Sequence, residues 1–587
     1  MGPLTDEEYT SILTTELPSP SDPVIQKYLS SRAALINEES KQRSDSSFRQ
    51  ALSPIGKRAC DIVGRIRDEE QRQHVDVDIT TPDAMVKTKS WAVIKRLPKG
   101  ALLRAQYDAL ALANIDHLIT LALETPGMCM SASDGNLATA EAREDITRSF
   151  QIRSRKNNPK SEQQSIWGAD YKGGTFVPLT KAADEYPEGG RPGFIKWLKV
   201  RCSWSGDATK SSQDEKAEKP PSAKGRADSH LLRGMLYYEP IFRKFLRHLL
   251  RQLTEDGISW TELRLTFPLD YYRTGSELPD PDSDHLFAAI GQEVASYHRQ
   301  ATTASSTGPG PGQRPPFWGL RIIWSTIRSQ DQRSIIEDAD SCIAAKLLWP
   351  DLVAGYDLAG AENLGRSLTD MLPELFWFRK QCSLEEVDIP FFLGAGGGSD
   401  AVSEGNLFDA LLLGTRRLGA ARSLYRHPRM VEAVKDKRIL AENYLAPGTV
   451  GGDTSDHPLP ALIAQGVPCA LSLGDAEEYV GEGGPLELTH QFWQALHAWE
   501  SLDLAGLGSL AENSVRWAAF GEQSADSWIR DIRAASVGSG VKAKRLKDWA
   551  VEWERFCLWI VTEYGETHGD GHDGDGDGDG GATASAE

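Results

Sequence analysis

IPFFLGAGGGSDAVSEGNLFDALLLGTRRLGAA (389–421) carries the sequence's clearest structural sentence. An apolar run, IPFFLG (389–394), ends in glycines. A helix-period segment follows from near Asn406, NLFDALLLG, and then a second short run, RRLGAA (416–421). A β-rich run, a helix and another β-rich run make the pattern of a parallel βαβ unit.

The same alternation extends in both directions. Further β-rich runs are GALLRAQ (100–106), ISWTELRLTF (258–267), GLRIIWST (319–326), LVAGYD (352–357), ILAEN (439–443) and PCALSLG (468–474). Most precede helix-period segments such as RSIIEDADSCIAAKLLW, LTDMLPELFWFRKQC, MVEAVKDK and LPALIAQG. In IFRKFLRHLLRQL (241–253), Ile241, Phe242, Phe245, Leu246, Leu249, Leu250 and Leu253 form one apolar stripe opposite basic residues. Eight runs interleaved with helices predict an α/β fold, a (β/α)8 TIM barrel with an N-terminal helical extension and long loop insertions. The expected organisation is a helical extension over 1–95, the barrel over 96–565, and an acidic Gly/Asp tail over 566–587.

Composition sets outer bounds. The 587 residues are 40% hydrophobic and carry a formal charge of -19, so no basic face is available for nucleic acid. The stretch MGPLTDEEYTSILTTELPSPSDP (1–23) has neither the basic nor the apolar region expected of a secretion signal, no apolar run reaches bilayer length, and the seven cysteines are widely spaced without a CxxC. The expectation is a cytoplasmic protein with neither nucleic-acid nor membrane partners. SRKNNPKSEQQS (154–165), SGDATKSSQDEKAEKPPSAKGRADS (205–229) and ATTASSTGPGPGQRPP (301–316) read as solvated insertions, and the tail with His568 and His572 as a disordered solubilising segment.

In such a barrel, chemistry sits at the C-terminal strand ends. These are Arg104 and Gln106 on the first strand, Asp357 on the fourth, Gly394 to Gly398 on the fifth, Ala420 and Ala421 on the sixth, and Gly474 with Asp475 on the eighth. GAGGGS after a strand is also an incomplete dinucleotide motif. Ser399 stands at its third glycine position, and about 20 residues on come Arg416 and Arg417 rather than an acidic ribose ligand. A glycine loop of unusual dihedrals is the simpler reading.

Six stretches resemble the adenosine deaminase superfamily, most closely its adenosine deaminase-related growth factor branch. They are LPKGALLRAQYDAL (97–110), RGMLYYEPIFRKFL (233–246), VAGYDLAGAE (353–362), DALLLGTRRLGAARSLYRHP (409–428), HPLPALIAQGVPCALSLGDAEEY (457–479) and FWQALHAWESLDLAGLGSLAENSVRWAAF (492–520). The resemblance implies a barrel in which a zinc-bound hydroxide deaminates adenosine. It also implies that the family's machinery is gone here. The His-x-His of the first strand falls on Arg104 and Gln106. His-Ala-Gly-Glu of the fifth falls on Gly394, Ala395, Gly396 and Gly397. The catalytic histidine of the sixth falls on Ala420, and the metal-binding aspartate of the eighth on Gly474, leaving only Asp475. No metal and no cofactor is expected, and none of the twelve histidines falls at a predicted strand end. His457, in SDHPLPAL, reads as a helix-start residue.

Family positions that persist are Gly360, the glycine whose backbone meets the purine, with Asp357 and Glu362 flanking it, and Asp108. The expected pocket is Arg104, Gln106, Gly360, Gly394, Gly397, Ala420, Gly474 and Asp475. Within it Arg104 either pairs with Asp475 across the mouth or grips an anion. The leading expectation is a pseudoenzyme that binds a purine-like or anionic small molecule, or a protein partner. The alternatives are metal-free catalysis, with Asp475, Asp108 or Asp357 as acid or base and Arg104 as clamp, and residual conversion of adenosine to inosine. The resemblance further implies a homodimer associated through the N-terminal segment.

Overall fold

The computed structural model describes residues 4–73, 81–133, 137, 139–144, 150–155, 164–202, 229–304, 316–363, 365–398, 400–445, 457–474 and 487–565. Asp475, the acidic tail with His568 and His572, and most of the three expected insertions lie outside the described residues.

Strands β1 (Gly100–Gln106), β5 (Ile258–Phe267), β6 (Gly319–Ile327) and β7 (Val353–Ala359) form one parallel sheet in that order. Strands β8 (Arg417–Gly419), β9 (Leu440–Asn443) and β10 (Cys469–Leu471) form a second. The segment 390–394 joins the two sheets. Phe392 N donates to Tyr356 O at 2.9 Å and Gly419 N to Leu393 O at 3.0 Å, with parallel bridges Tyr356 to Phe391 and Gly394 to Gly419. Leu473 N donates to Arg104 O at 3.2 Å and closes the circuit from β10 back to β1. The eight parallel segments therefore form the expected (β/α)8 barrel, at nearly the positions expected.

The helix Glu239–Glu255 buries all seven residues of its apolar stripe, the burial that most stabilises such a helix. Two local expectations change. The helix after the glycine loop is Ala401–Leu412 and starts five residues before Asn406, because the Asp400 side chain accepts from the amides of Val402 and Ser403. Between β1 and β5 lies a three-stranded antiparallel sheet that the alternating pattern does not announce. It is built from β2 (Met128–Ala132), β3 (Phe150–Ser154) and β4 (Val177–Pro178) in the order β3-β2-β4.

Within the first 95 residues, the helix Pro54–Gln73 packs on the long C-terminal helix Val541–Tyr564. The helix Pro23–Gln42 buries none of its residues. Among the described residues no helix is long and apolar enough to cross a membrane.

Candidate functional site

The strand ends that lack side chains are filled by arginine. Arg104 projects from β1 and is only 6% exposed. Its Nη1 and Nη2 lie 3.1 and 3.2 Å from where a Cβ on Gly394 would stand, and a Cβ on Gly419 would fall 2.1 Å from Nη1. Gly394 and Gly419 are themselves bridged. The guanidinium therefore occupies volume that any side chain at either position would claim.

Arg104 is the top rung of a buried ladder of charge inside the barrel. Its Nη1 lies 3.6 Å from Asp357 Oδ2. Asp357 also accepts from Arg264 Nε at 2.6 Å, from Gly394 N at 3.1 Å and from Leu358 N at 2.8 Å. Burial alone would raise the Asp357 carboxyl, but Arg264 and Arg104 beside it hold it below the usual carboxylate range. Arg264 continues downward, donating to Leu103 O at 2.9 Å and to Glu442 Oε2 at 3.3 Å. Glu442 Oε1 accepts from Arg417 Nε at 2.7 Å, and Arg417 Nη2 donates to Glu262 Oε2 at 2.6 Å. Glu262 is further satisfied by Ala519 N at 2.6 Å and Trp260 Nε1 at 3.1 Å, and Arg417 stacks on Phe392 at 4.0 Å. The ladder balances the cations Arg104, Arg264 and Arg417 against the carboxylates Asp357, Glu442 and Glu262, so no rung leaves a naked buried charge.

Arg264, Arg417, Glu262 and Glu442 are the residues that strand-end reasoning misses. Their signal is present in the sequence: Glu262 and Arg264 alternate with apolar residues in ISWTELRLTF, as do polar residues on an ordinary solvent face. Here that face points into a closed barrel.

The glycine loop is occupied from a second side. Glu362, in the loop after β7, accepts from Gly396 N at 3.2 Å, Gly397 N at 2.9 Å and Asn406 Nδ2 at 2.9 Å. Gly396 has φ of +76°, which turns adjacent amides toward one point. A Cβ on Gly397 would lie 3.2 Å from Glu362 Oε1 and 3.5 Å from the Ala420 Cβ. Gly394, Gly397, Ala420, Asp357 and Arg104 are thus brought together at one end of the barrel. Ala420 itself takes φ of +57° and donates its N–H to Glu442 O at 3.1 Å. Gly474 is buried beside Leu473, whose amide meets Arg104 O, and half-buried Gln106 ends β1 at the same mouth.

Two expected residues sit apart from this centre. Asp108 accepts from Arg233 Nε at 2.9 Å and Tyr237 Oη at 2.6 Å, while Arg233 also donates to Pro268 O at 3.2 Å. These contacts tie the start of the helix after β1 to the helix Ser229–Leu236 and to the loop after β5. Gly360 is exposed, with φ of +104° and an added Cβ meeting Arg328 Cγ at 3.7 Å. Asp475 lies outside the described residues, and among those described Asp357 is the carboxylate that faces Arg104. His457 marks a helix start, its Nδ1 accepting from Leu459 N at 3.3 Å while Nε2–H donates to Tyr444 O at 3.1 Å.

A zinc ion of the kind the resemblance implies does not fit these residues. Three of the corresponding positions, Gly394, Ala420 and Gly474, offer no side-chain donor, and Arg104 sets a permanent cation there. Among the described residues no group of three His, Cys, Asp or Glu converges as metal ligands do.

No family model matches the chain. Individual relatives do. It is similar to adenosine deaminase 2-A of Danio rerio, with 30% identity over 308 residues, 50% of this chain and 56% of that protein. It is similar to an adenosine deaminase of Lutzomyia longipalpis, with 25% identity over 481 residues, 79% of this chain and 78% of that protein. Against human adenosine deaminase 2 the identity is 25% over 337 residues, 56% of this chain and 58% of that protein. The chain therefore spans little more than half the length of the first of these relatives and of the human one. A solved adenine deaminase from Arthrobacter aurescens aligns at 14% identity and a TM-score of 0.37, covering 62% of this chain and 89% of that one. That score is too low to carry an argument.

Proposed function

We propose that this chain, a relative of the adenosine deaminase superfamily, works by binding and not by zinc-assisted deamination. One observation carries the reading: the Arg104 guanidinium is seated between Gly394 and Gly419, in ion-pair reach of Asp357. A cation held there repels a second cation, and glycine, alanine and glutamine supply none of the imidazole or thiolate donors that zinc favours. The ligand is a purine-like or anionic small molecule entering at the mouth, where the backbone at Gly360 faces solvent.

The test is direct. Purified chain lacking the tail 566–587 is assayed for zinc by mass spectrometry and for inosine formation from adenosine. The expected results are no stoichiometric zinc and no chelator-sensitive turnover; one tightly held zinc per chain with inosine production refutes the reading. Metal-free catalysis draws less support, because Asp357 and Asp108 are both already committed to arginines.

The reading includes a homodimer and a cytoplasmic setting. Val24, Tyr28, Leu29, Leu35 and Ile36 are exposed on one side of the helix Pro23–Gln42, an apolar face that none of the described residues covers. All seven cysteines are free thiols, as suits a reducing compartment.

A further inference from the structure

We propose that the amides of Gly396 and Gly397 and the Nδ2 of Asn406 form a binding site for an anionic group, carboxylate or phosphate, and that Glu362 occupies it in the resting chain as a tethered competitor. The inference rests on the binding role just proposed and names the chemistry of the ligand.

The three donors converge on a single carboxylate. Oε1 of Glu362 takes Gly397 N at 2.9 Å, and Oε2 takes Gly396 N at 3.2 Å and Asn406 Nδ2 at 2.9 Å. Asn406 is 1% exposed, and its orientation is fixed because its Oδ1 accepts from Leu368 N at 2.7 Å. Its Nδ2 is therefore committed as a donor into the site. Glycine at 396 and 397 puts no side chain of its own over these amides, and a Cβ on Gly397 would meet Glu362 Oε1 at 3.2 Å and Ala420 at 3.5 Å or more.

The resemblance places a proton-shuttling glutamate at position 397 and a metal-binding histidine at position 394. Replacing both by glycine uncovers backbone amides and admits the Arg104 guanidinium within about 3 Å of position 394, where a Cβ would lie 3.1 Å from its Nη1. The centre has exchanged a field suited to a cation for one suited to an anion. Glu362 can leave this site. It is only half-buried, and it stands on a loop that starts at exposed Gly360. Once it leaves, three N–H donors, one of them on a buried side chain, have no partner, and filling them by an external anion restores those hydrogen bonds.

Inorganic phosphate and, in a separate arm, acetate are titrated into the full chain by calorimetry at constant ionic strength held with chloride. A tethered carboxylate competes at high effective concentration, so Glu362→Ala is expected to bind one of the two anions at least about tenfold more tightly than the unaltered chain. Adding Asn406→Asp to that variant is expected to abolish the binding. The preferred arm identifies the ligand's group as phosphate or carboxylate. If Glu362→Ala does not fold by circular dichroism, Glu362→Ser, which is too short to reach the three donors, carries the same expectation. Equal binding with and without Glu362, no binding by either, or binding that survives Asn406→Asp overturns the site. Those outcomes leave the zinc-free reading standing, since zinc content is measured separately, and stoichiometric zinc overturns that reading whatever the anions do.

Discussion

Adding a single methyl group at Gly419 tests the seat of Arg104. The backbone there lies outside the left-handed region, so alanine meets no conformational objection. Its Cβ, however, would stand 2.1 Å from Arg104 Nη1, 2.9 Å from Cζ and 3.3 Å from Gly394 Cα. Ordinary contact begins at 3.4 Å, so Nη1 must retreat by 3.4 minus 2.1, or 1.3 Å. An exposed arginine would simply swing aside. This one is buried and faces Asp357, and retreat lengthens that ion pair, leaving Arg264 as the cation that still holds the carboxylate. Overpacking of this kind costs about 1–3 kcal/mol, and the weakened pair adds about 1 kcal/mol, so Gly419→Ala should destabilise by about 2–4 kcal/mol. In an Arg104→Ala background the methyl meets nothing, and the same substitution should cost less than about 0.5 kcal/mol. The assay is a double-mutant cycle on urea unfolding of the main cooperative transition, with the slope required to stay constant across the four proteins. A coupling of at least about 1.5 kcal/mol is expected. Additive effects would mean that Arg104 does not occupy the space between Gly394 and Gly419, and only the missing side-chain donors would then stand against a zinc ion.

Further down the ladder, Arg417→Met takes the paired cation from Glu262 and leaves Glu442 with Arg264 alone, both carboxylates essentially unexposed, and should destabilise by about 3–5 kcal/mol in the same unfolding experiment. Lys542, on the C-terminal helix, donates to Ala518 O at 2.7 Å, and burial pulls its amine down from 10.5 to about 7. The folded chain then binds fewer protons than the unfolded one between those values, so the burial cost is full below pH 7 and is relieved as pH rises toward 10.5. Lys542→Met should accordingly stabilise at pH 6, with the gain fading by pH 9 to 10 in thermal melts; a gain independent of pH would refute this account. If the proposed dimer forms through the N-terminal helix, the full chain should scatter as a dimer and the chain without residues 1–42 as a monomer, and a truncated chain with twice its own monomer mass would exclude the helix Pro23–Gln42 as the contact.

Sequence alone was sufficient where local pattern and burial coincide. Alternating runs placed seven of the eight barrel segments as regular strands, and the stripe from Ile241 to Leu253 defined a helix whose buried face is read from spacing. The eighth, IPFFLG, has the composition of a strand but pairs only through isolated bridges at Phe391 and Gly394. The antiparallel sheet β3-β2-β4 escaped because each strand is short and its partners lie across segments without a clear period.

Which residues stand at the strand ends was also legible, and with them the missing donors for a zinc ion. What fills the space was decided in three dimensions. Arg104, Gly394 and Gly419 come from the first, fifth and sixth barrel segments, and only closure of the circuit through Leu473 and Arg104 puts them in contact. Closure also reverses the meaning of the polar positions in ISWTELRLTF. A period of two says that Glu262 and Arg264 share a face but not whether water lies on it. Folded into a barrel, that face is buried, and its charges pair with one another from β5, β7, β8 and β9. Sequence thus determined which donors the strand ends carry, because donors are a property of residue type. Tertiary structure decided what stands between them, because ion pairing and volume depend on distances that no local spacing encodes.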